Sequence, residues 1–213
     1  DARALIPQLP QLYSEPFADS SQLPTHLVCR EARRAGLTVA LSGDGGDELF
    51  GGYNRYFWGP RIWNRLAWLP SPLRRSLGRA ITNLPPPAWD ALGRPLPIQQ
   101  LGHKAHKLAS RLRHVNSSDD LYRSLICESS DQEVPLQPLP ACLSGDPVAR
   151  MMAWDALGYL PDDILVKVDR AAMAVGLETR APFLDHRVAE VAWRLPMAMK
   201  IRPGQGAAAS KWA

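Results

Sequence analysis

Between Leu41 and Tyr53 the chain reads Leu-Ser-Gly-Asp-Gly-Gly-Asp-Glu-Leu-Phe-Gly-Gly-Tyr, so that Asp44, Asp47 and Glu48 are set among glycines. Glycine lets a backbone turn through conformations closed to other residues, and it lets main-chain N–H groups approach a phosphate closely. Carboxylates at fixed offsets in such a turn suit a hard cation such as Mg2+, or the steering of a proton. The first expectation is therefore phosphate chemistry. A second concentration of charge lies in Leu165-Val-Lys-Val-Asp-Arg170, where Lys167, Asp169 and Arg170 interrupt apolar positions in a way a simple surface helix would not.

The elements around these residues follow from periodicity and punctuation. The opening segment to Gln22 is rich in proline and reads as a loop with a short helical turn at most. A helix is expected from Ser21, with Pro24 in its first turn, Leu27, Val28 and Cys29 as apolar positions, and Gly36 as its stop. Leu37-Thr-Val-Ala-Leu41 then reads as a buried strand of a parallel sheet, which places the glycine and acid turn at a strand's carboxyl end, the edge where open α/β sheets bind ligands. Asp47 is expected to cap a helix that begins at Glu48 and is interrupted by Gly51 and Gly52. Prolines from Pro60 to Pro97 divide the next region into short helices. Helices are expected over Lys104 to His114 and Ser117 to Glu128, the second opened by a Ser117-x-x-Asp120 box. Asp146-Pro147 opens another helix, with Met151, Met152 and Leu157 as core filler. After Asp185 as cap, Val188, Val191, Ala192 and Leu195 define an amphipathic helix ended by Pro196.

Composition bounds the class of protein. At 213 residues and 46% hydrophobic content the chain can bury a core, as one domain or one domain with an appendage. Cys29, Cys127 and Cys142 stand far apart, which argues against zinc or a disulfide framework and fits a reducing, cytoplasmic setting. No run approaches the roughly 20 apolar residues of a membrane helix. His26, His103, His106, His114 and His186 show no metal-ligand spacing. Net charge is +4, yet Arg61 to Arg113 holds ten Lys/Arg against one acid, Asp90. A solvated helical face explains that better than nucleic acid does, and Trp58, Trp63, Trp68 and Trp89 read as core before they read as base-stacking platforms.

Three segments together resemble the synthetase half of the glutamine-hydrolysing asparagine synthetases: Glu15-Pro-Phe-Ala-Asp-Ser-Ser-Gln-Leu-Pro-Thr25, Ser42 to Tyr53, and Leu165 to Asp185. The resemblance implies an α/β class: part of a parallel-sheet, PP-loop nucleotide-binding domain of the adenine nucleotide alpha hydrolase kind, predominantly helical over this stretch. It implies ATP and Mg2+ as cofactors, aspartate and ammonia from glutamine as small-molecule partners, no nucleic acid or membrane partner, and a homodimer of the full-length protein. The implied reaction adenylates the β-carboxylate of aspartate, releases pyrophosphate, and lets ammonia displace AMP to give asparagine.

Position by position, the resemblance makes Ser42, Gly43, Gly45 and Gly46 the nucleotide contacts and Asp47 the Mg2+ ligand. Asp44 becomes the acid that orients or deprotonates the incoming ammonia. Lys167, Asp169 and Arg170 form a charged cluster near the phosphates, and Asp19, Ser20 and Ser21 border the aspartate pocket. Each has a plainer rival: Asp44 bonding its own turn, Asp47 only a cap, and Lys167, Asp169 and Arg170 a structural ion network. Residues 1–213 are expected to be the interior of a synthetase domain, with an upstream Ser-Gly-Gly-x-Asp-Ser loop, a glutaminase domain and later helices outside them. Alone they are expected to bind MgATP weakly and make no asparagine. Two readings stay open beside this one: an amidating or β-lactam-forming relative acting on another carboxylate, and a basic helical binding module.

Overall fold

The punctuation of the chain leaves room mainly for helices, and the computed structural model, which describes residues 2–92, 101–127, 135–143 and 145–201, is correspondingly helical with one small sheet. Two compact units are formed by the described residues of Asp1–Tyr53 with Met152–Ala213, and of Asn54–Met151.

In the first unit the opening segment is more ordered than its prolines suggest. Ala2–Gln8 is a 3-10 helix, followed by α1 (Leu9–Tyr13). Pro10 lies in the first turn of α1, where the missing N–H has no intrahelical acceptor to lose, so proline starts this helix instead of preventing it. Helix α2 (Gln22–Arg34) runs from N-cap Ser21, and Gly36 at φ 91° reverses the chain after it. Strand β1 (Val39–Leu41) follows, then α3 (Gly46–Phe50). Asp47 is not the cap of α3: Gly45, at φ 89°, takes that place and Asp47 falls inside the first turn.

The second unit contains α4 (Asn54–Ala67), α5 (Ser71–Thr82), α6 (Pro86–Leu92), α7 (Leu101–His114) and α8 (Ser118–Ile126). The Ser117/Asp120 box is present in both directions: Ser117 Oγ accepts from the Asp120 N–H at 3.0 Å, and Asp120 accepts from the Ser117 N–H at 3.0 Å. Tyr56, Phe57, Ala109, Leu112, Leu121 and Tyr122 are buried. Trp58 and Trp68, expected in the core, are 55% and 76% exposed. Their positions explain it. Trp58 stands about 200° from Tyr56 and 100° from Phe57 around α4, away from the face those two bury, and Trp68 lies just past the end of that helix.

Helix α9 (Pro147–Trp154) is followed without a break by a π-helical segment, Asp155–Leu165, and by α10 (Val166–Met173). Met151 and Met152 are buried as expected, whereas Leu157 is half exposed. Strand β2 (Glu178–Arg180), α11 (His186–Arg194) and α12 (Met197–Lys200) complete the described chain. Asp185 caps α11 by accepting from the Arg187 N–H at 2.9 Å.

The sheet has two parallel strands, with Val39, Ala40 and Leu41 opposite Glu178, Thr179 and Arg180. Ala40 packs against a cluster of Cys29, Ala171, Ala172 and Leu177 contributed around α2 and α10. The expected burial of the strand holds for this face alone: Val39 is 46% and Leu41 76% exposed. Period-two alternation sends those two side chains to the other face, which no described helix covers. All three cysteines are free thiols, and no helix among the described residues is long and apolar enough to cross a membrane.

Candidate functional site

Chain continuity puts the first unit's two charged motifs at one edge. The ladder runs one bond past β1, with the Ser42 N–H donating to the Arg180 carbonyl at 2.8 Å, so the glycine turn leaves the sheet beside the segment that follows β2. At these carboxyl ends lies a cleft of about 390 Å3, lined by Ser42 and Asp44 from the turn, Thr179, Ala181 and Leu184 from the β2 side, and Pro161, Leu165, Val166, Val168 and Asp169 from the π-helical segment and α10. Asp44 Oδ2 is buried without a hydrogen-bond partner in the protein. A buried carboxylate oxygen left unmatched by protein is uncommon, and a water, a cation or a ligand donor can meet one.

The turn itself is divided. Gly43 faces open space, whereas Gly45 and Gly46 are packed under Leu184 and Phe183: a Cβ at Gly45 would stand 2.9 Å from Leu184 Cδ2, and one at Gly46 would stand 3.3 Å from the Phe183 ring. The Phe183 ring also meets Phe50 edge-on at 5.8 Å. Asp47 does not line the cleft; its carboxylate lies against Gly52, and its carbonyl accepts from Gly51 and Gly52 at 2.9 Å each. Among the described residues, no group of three or more His, Cys, Asp or Glu side chains could hold a metal.

Lys167, Asp169 and Arg170 do not form one cluster. Residues two apart on a helix are separated by about 200°. Asp169 is exposed at the cleft, while Lys167 is 8% exposed and its ammonium pairs with Asp19. Arg170 is half-buried and lines no part of the cleft. Asp19 also accepts from the Ser21 N–H at 2.8 Å and the Ser21 hydroxyl at 2.7 Å, which closes the turn before α2, and Ser20 stays exposed. Burial works against ionisation of Asp19, but the donors Lys167 and Ser21 together hold its carboxyl below the ordinary range. The Tyr13 hydroxyl lies 3.4 Å from the Lys167 carbonyl and is pushed up to about 12, first by burial and then by Cys29 and Asp19.

Two carboxyls to which sequence reasoning gave no individual role belong to this neighbourhood. Asp163 lies against Asp19; burial raises its carboxyl above the usual range, Asp19 adds to that, and Lys167 opposes it. Asp163 is four residues before Lys167, a spacing that could have signalled that the lysine's charge reaches it, although Lys167 pairs with Asp19. Glu48 is 1% exposed and accepts from the Tyr53 hydroxyl at 2.6 Å. Nothing in a one-dimensional reading distinguishes a buried Glu48 from a solvated one in the first turn of a helix.

A sequence model described as asparagine synthase matches residues 1–212. The chain belongs to the asparagine synthase family. A Mycobacterium tuberculosis protein named "Putative asparagine synthetase (glutamine-hydrolyzing)" is 37% identical over 211 residues, covering 93% of this chain and 30% of its own length. The Bacillus subtilis protein named "Asparagine synthetase (glutamine-hydrolyzing) 1" is 31% identical over 211 residues, covering 93% of this chain and 31% of its own. The chain thus spans about three tenths of the length of these curated relatives. No solved structure matches it significantly. Ser42, Asp44, Asp169 and Thr179 are the polar residues that line the cleft, and Asp19 pairs with Lys167 of the α10 segment.

Proposed function

We propose that residues 1–213 form the interior of an asparagine synthase-type domain, of PP-loop nucleotide-binding architecture, that activates a carboxylate with ATP and lets ammonia convert it to an amide. The observation that carries this reading is the cleft at the carboxyl ends of two parallel strands with the unmatched Asp44 oxygen at it. In open α/β folds that edge is where nucleotides bind.

The residues fit a magnesium ion that arrives with the phosphates. Mg2+ is commonly bound by one or two carboxylates plus phosphate oxygens and water, without an all-protein cage. Asp47 would supply such a carboxylate if its side chain turned from Gly52 into the cleft, which leaves Asp44 free to act as a base. Bound there, the ion would neutralise charge on the departing pyrophosphate. Ser42 contributes its N-terminal position on the turn and its hydroxyl to the nucleotide, and Gly43, free of overlying side chains, lets the backbone approach it.

In the proposed reaction the substrate carboxylate attacks the α-phosphorus of ATP, and pyrophosphate leaves with the electron pair of the broken P–O bond. Ammonia then attacks the acyl carbon, AMP departs, and an amide remains. Asp44 accepts the proton that the attacking nitrogen sheds, while Asp169 is the solvent-exposed acid on the α10 side of the cleft. Aspartate is the proposed carboxylate, and glutamine the source of ammonia in the full-length protein, acting in the cytoplasm as a homodimer.

The test is aspartate-dependent pyrophosphate release by the full-length protein, with a panel of other carboxylic acids in parallel. Asp44→Asn should lower amide formation at least about a hundredfold, the scale of a lost general base. Pyrophosphate release that is indifferent to every carboxylate offered would remove the reading, and release with a different acid alone would move it to another substrate.

A further inference from the structure

The basic stretch that the proposed chemistry leaves unused lies in the second unit, and folding gathers part of it in one place. Helices α5 and α7 approach closely at Gly78, where an added Cβ would stand 2.8 Å from the Ala109 carbonyl oxygen and 2.7 Å from Arg113 Cγ. The stem of Arg113 is thus laid across α5 at that glycine. The helices run antiparallel, with Gly78 opposite Ala109 and Arg75 Nη2 3.5 Å from Asn116 Oδ1 just after α7. Arg75 and Arg79 stand about 60° and 100° round α5 from Gly78, and Arg113 about 40° round α7 from Ala109 in the same sense. In an antiparallel pair, rotations of one sense lead to one side, so the three arginines share a side of the pair. All three are exposed, and none makes an ion pair with a carboxylate among the described residues. Asp120, the acid that follows Asn116, is engaged elsewhere: it accepts from the Asn116 and Ser117 N–H groups at 3.0 Å each and pairs with Arg123 at 3.0 Å.

We infer that Arg75, Arg79 and Arg113 form a binding site for a compact anion of linked phosphates, a di- or triphosphate. Guanidiniums gathered without an acid repel one another, and an anion that bridges them removes that repulsion. A single phosphate offers too few oxygens to engage three guanidiniums in bidentate fashion, whereas linked phosphates present oxygens on each group and carry more charge. An extended nucleic acid would need the positive charge to continue, and it does not. Toward the start of α7 the same side carries Ser110, His106 and His103, and His106 is turned to the Leu84 carbonyl at 2.8 Å. The plainer reason for a cation, the helix dipole, serves Arg113 in the last turn of α7 but not Arg75 in the first half of α5. Neighbouring Arg74 has a structural use that the three lack: it is 4% exposed, donates to the Ser71 hydroxyl at 2.9 Å and lies 5.5 Å from the centre of the Trp63 ring.

Isothermal titration of the full-length protein with sodium tripolyphosphate, at low salt and without magnesium, should show a binding event that Arg75→Gln combined with Arg79→Gln weakens at least about tenfold, the scale of a lost charge-assisted hydrogen bond. Lys104→Gln combined with Lys107→Gln removes as much charge from the outer side of α7 and should change the affinity by no more than about twofold. Orthophosphate should bind at least about tenfold more weakly than tripolyphosphate. Should the double arginine variant fail to fold, Arg79→Gln alone is titrated, and a loss of about tenfold is expected again. No event in the wild type, an event indifferent to the arginines, an equal loss in the lysine variant, or an oligouridine that binds more tightly than tripolyphosphate each overturns the site. The arginine variants should leave kcat and the KM for MgATP unchanged, and a raised KM would overturn it by tying these residues to the reaction cleft. A full-length protein that releases no pyrophosphate with any carboxylate would fail the functional reading and leave this titration as decisive as before.

Discussion

Replacing Gly45 and Gly43 singly by alanine separates two jobs that look identical in the motif. At Gly45 the backbone is at φ 89°, and a left-handed conformation costs an L-residue roughly 1–2 kcal/mol. The added methyl would also meet Leu184 Cδ2 at 2.9 Å, but Leu184 is 42% exposed and its end can swing outward, so this contact adds little. The net expectation for Gly45→Ala is a loss of about 2 kcal/mol, which corresponds to a thermal midpoint lowered by roughly 4–8 °C for a domain of this size. Because Leu184 lines the cleft, the KM for MgATP should rise as well. Gly43 has neither a positive φ nor any atom within 4 Å of an added Cβ, so Gly43→Ala should stay within about 0.5 kcal/mol of wild type. Differential scanning calorimetry of both variants in the full-length protein, with pyrophosphate kinetics beside it, provides the comparison. Equal destabilisation at the two positions, or none at Gly45, would refute the assignment of strain to Gly45.

The Asp19–Lys167 pair should make stability acid-sensitive: the Asp19 carboxyl is depressed in the fold, so its contribution is present above the ordinary carboxylate value of about 4 and is lost as pH falls through the folded value. Asp19→Asn should remove that part of the acid limb in a thermal titration, and an unchanged limb would contradict the pairing. Asp163 has the opposite sign. Its carboxyl is raised, so stability declines as pH climbs from about 4 through the folded value, and Asp163→Asn should be favoured over wild type increasingly across that window and by a constant amount above it. In the second unit, Ser117→Ala removes the acceptor for the Asp120 N–H and should cost about 1 kcal/mol, read by urea denaturation, whereas no change would mean that α8 draws nothing from its cap.

Helices with strong punctuation were legible in advance. Gly36 after α2, the Ser117 box before α8, Asp146-Pro147 before α9 and Asp185 before α11 are each a local hydrogen-bond or dihedral requirement, and local requirements are visible in a single stretch of residues. The opening segment was not, because proline forbids the interior of a helix yet suits its first turn, and which applies depends on where the helix begins. The same holds for Trp58, whose aromatic character predicts burial only if a partner covers its side of α4.

For the site, the residues themselves determined that a flexible, acid-bearing turn follows a short apolar strand, since glycine's freedom and a β-branched run are properties of the chain alone. Tertiary structure decided which of those residues share a surface. It put Ser42 and Asp44 at the cleft, laid Asp47 against Gly52, covered Gly45 and Gly46 with Phe183 and Leu184, and turned Lys167 toward Asp19 while Asp169 faced the cleft. The physical reason is one of range: conformational preference acts over a few neighbouring bonds, whereas the partner of a charge is fixed by which distant segment the folded backbone brings within hydrogen-bond reach, as it brings Asp19 to a lysine far along the chain.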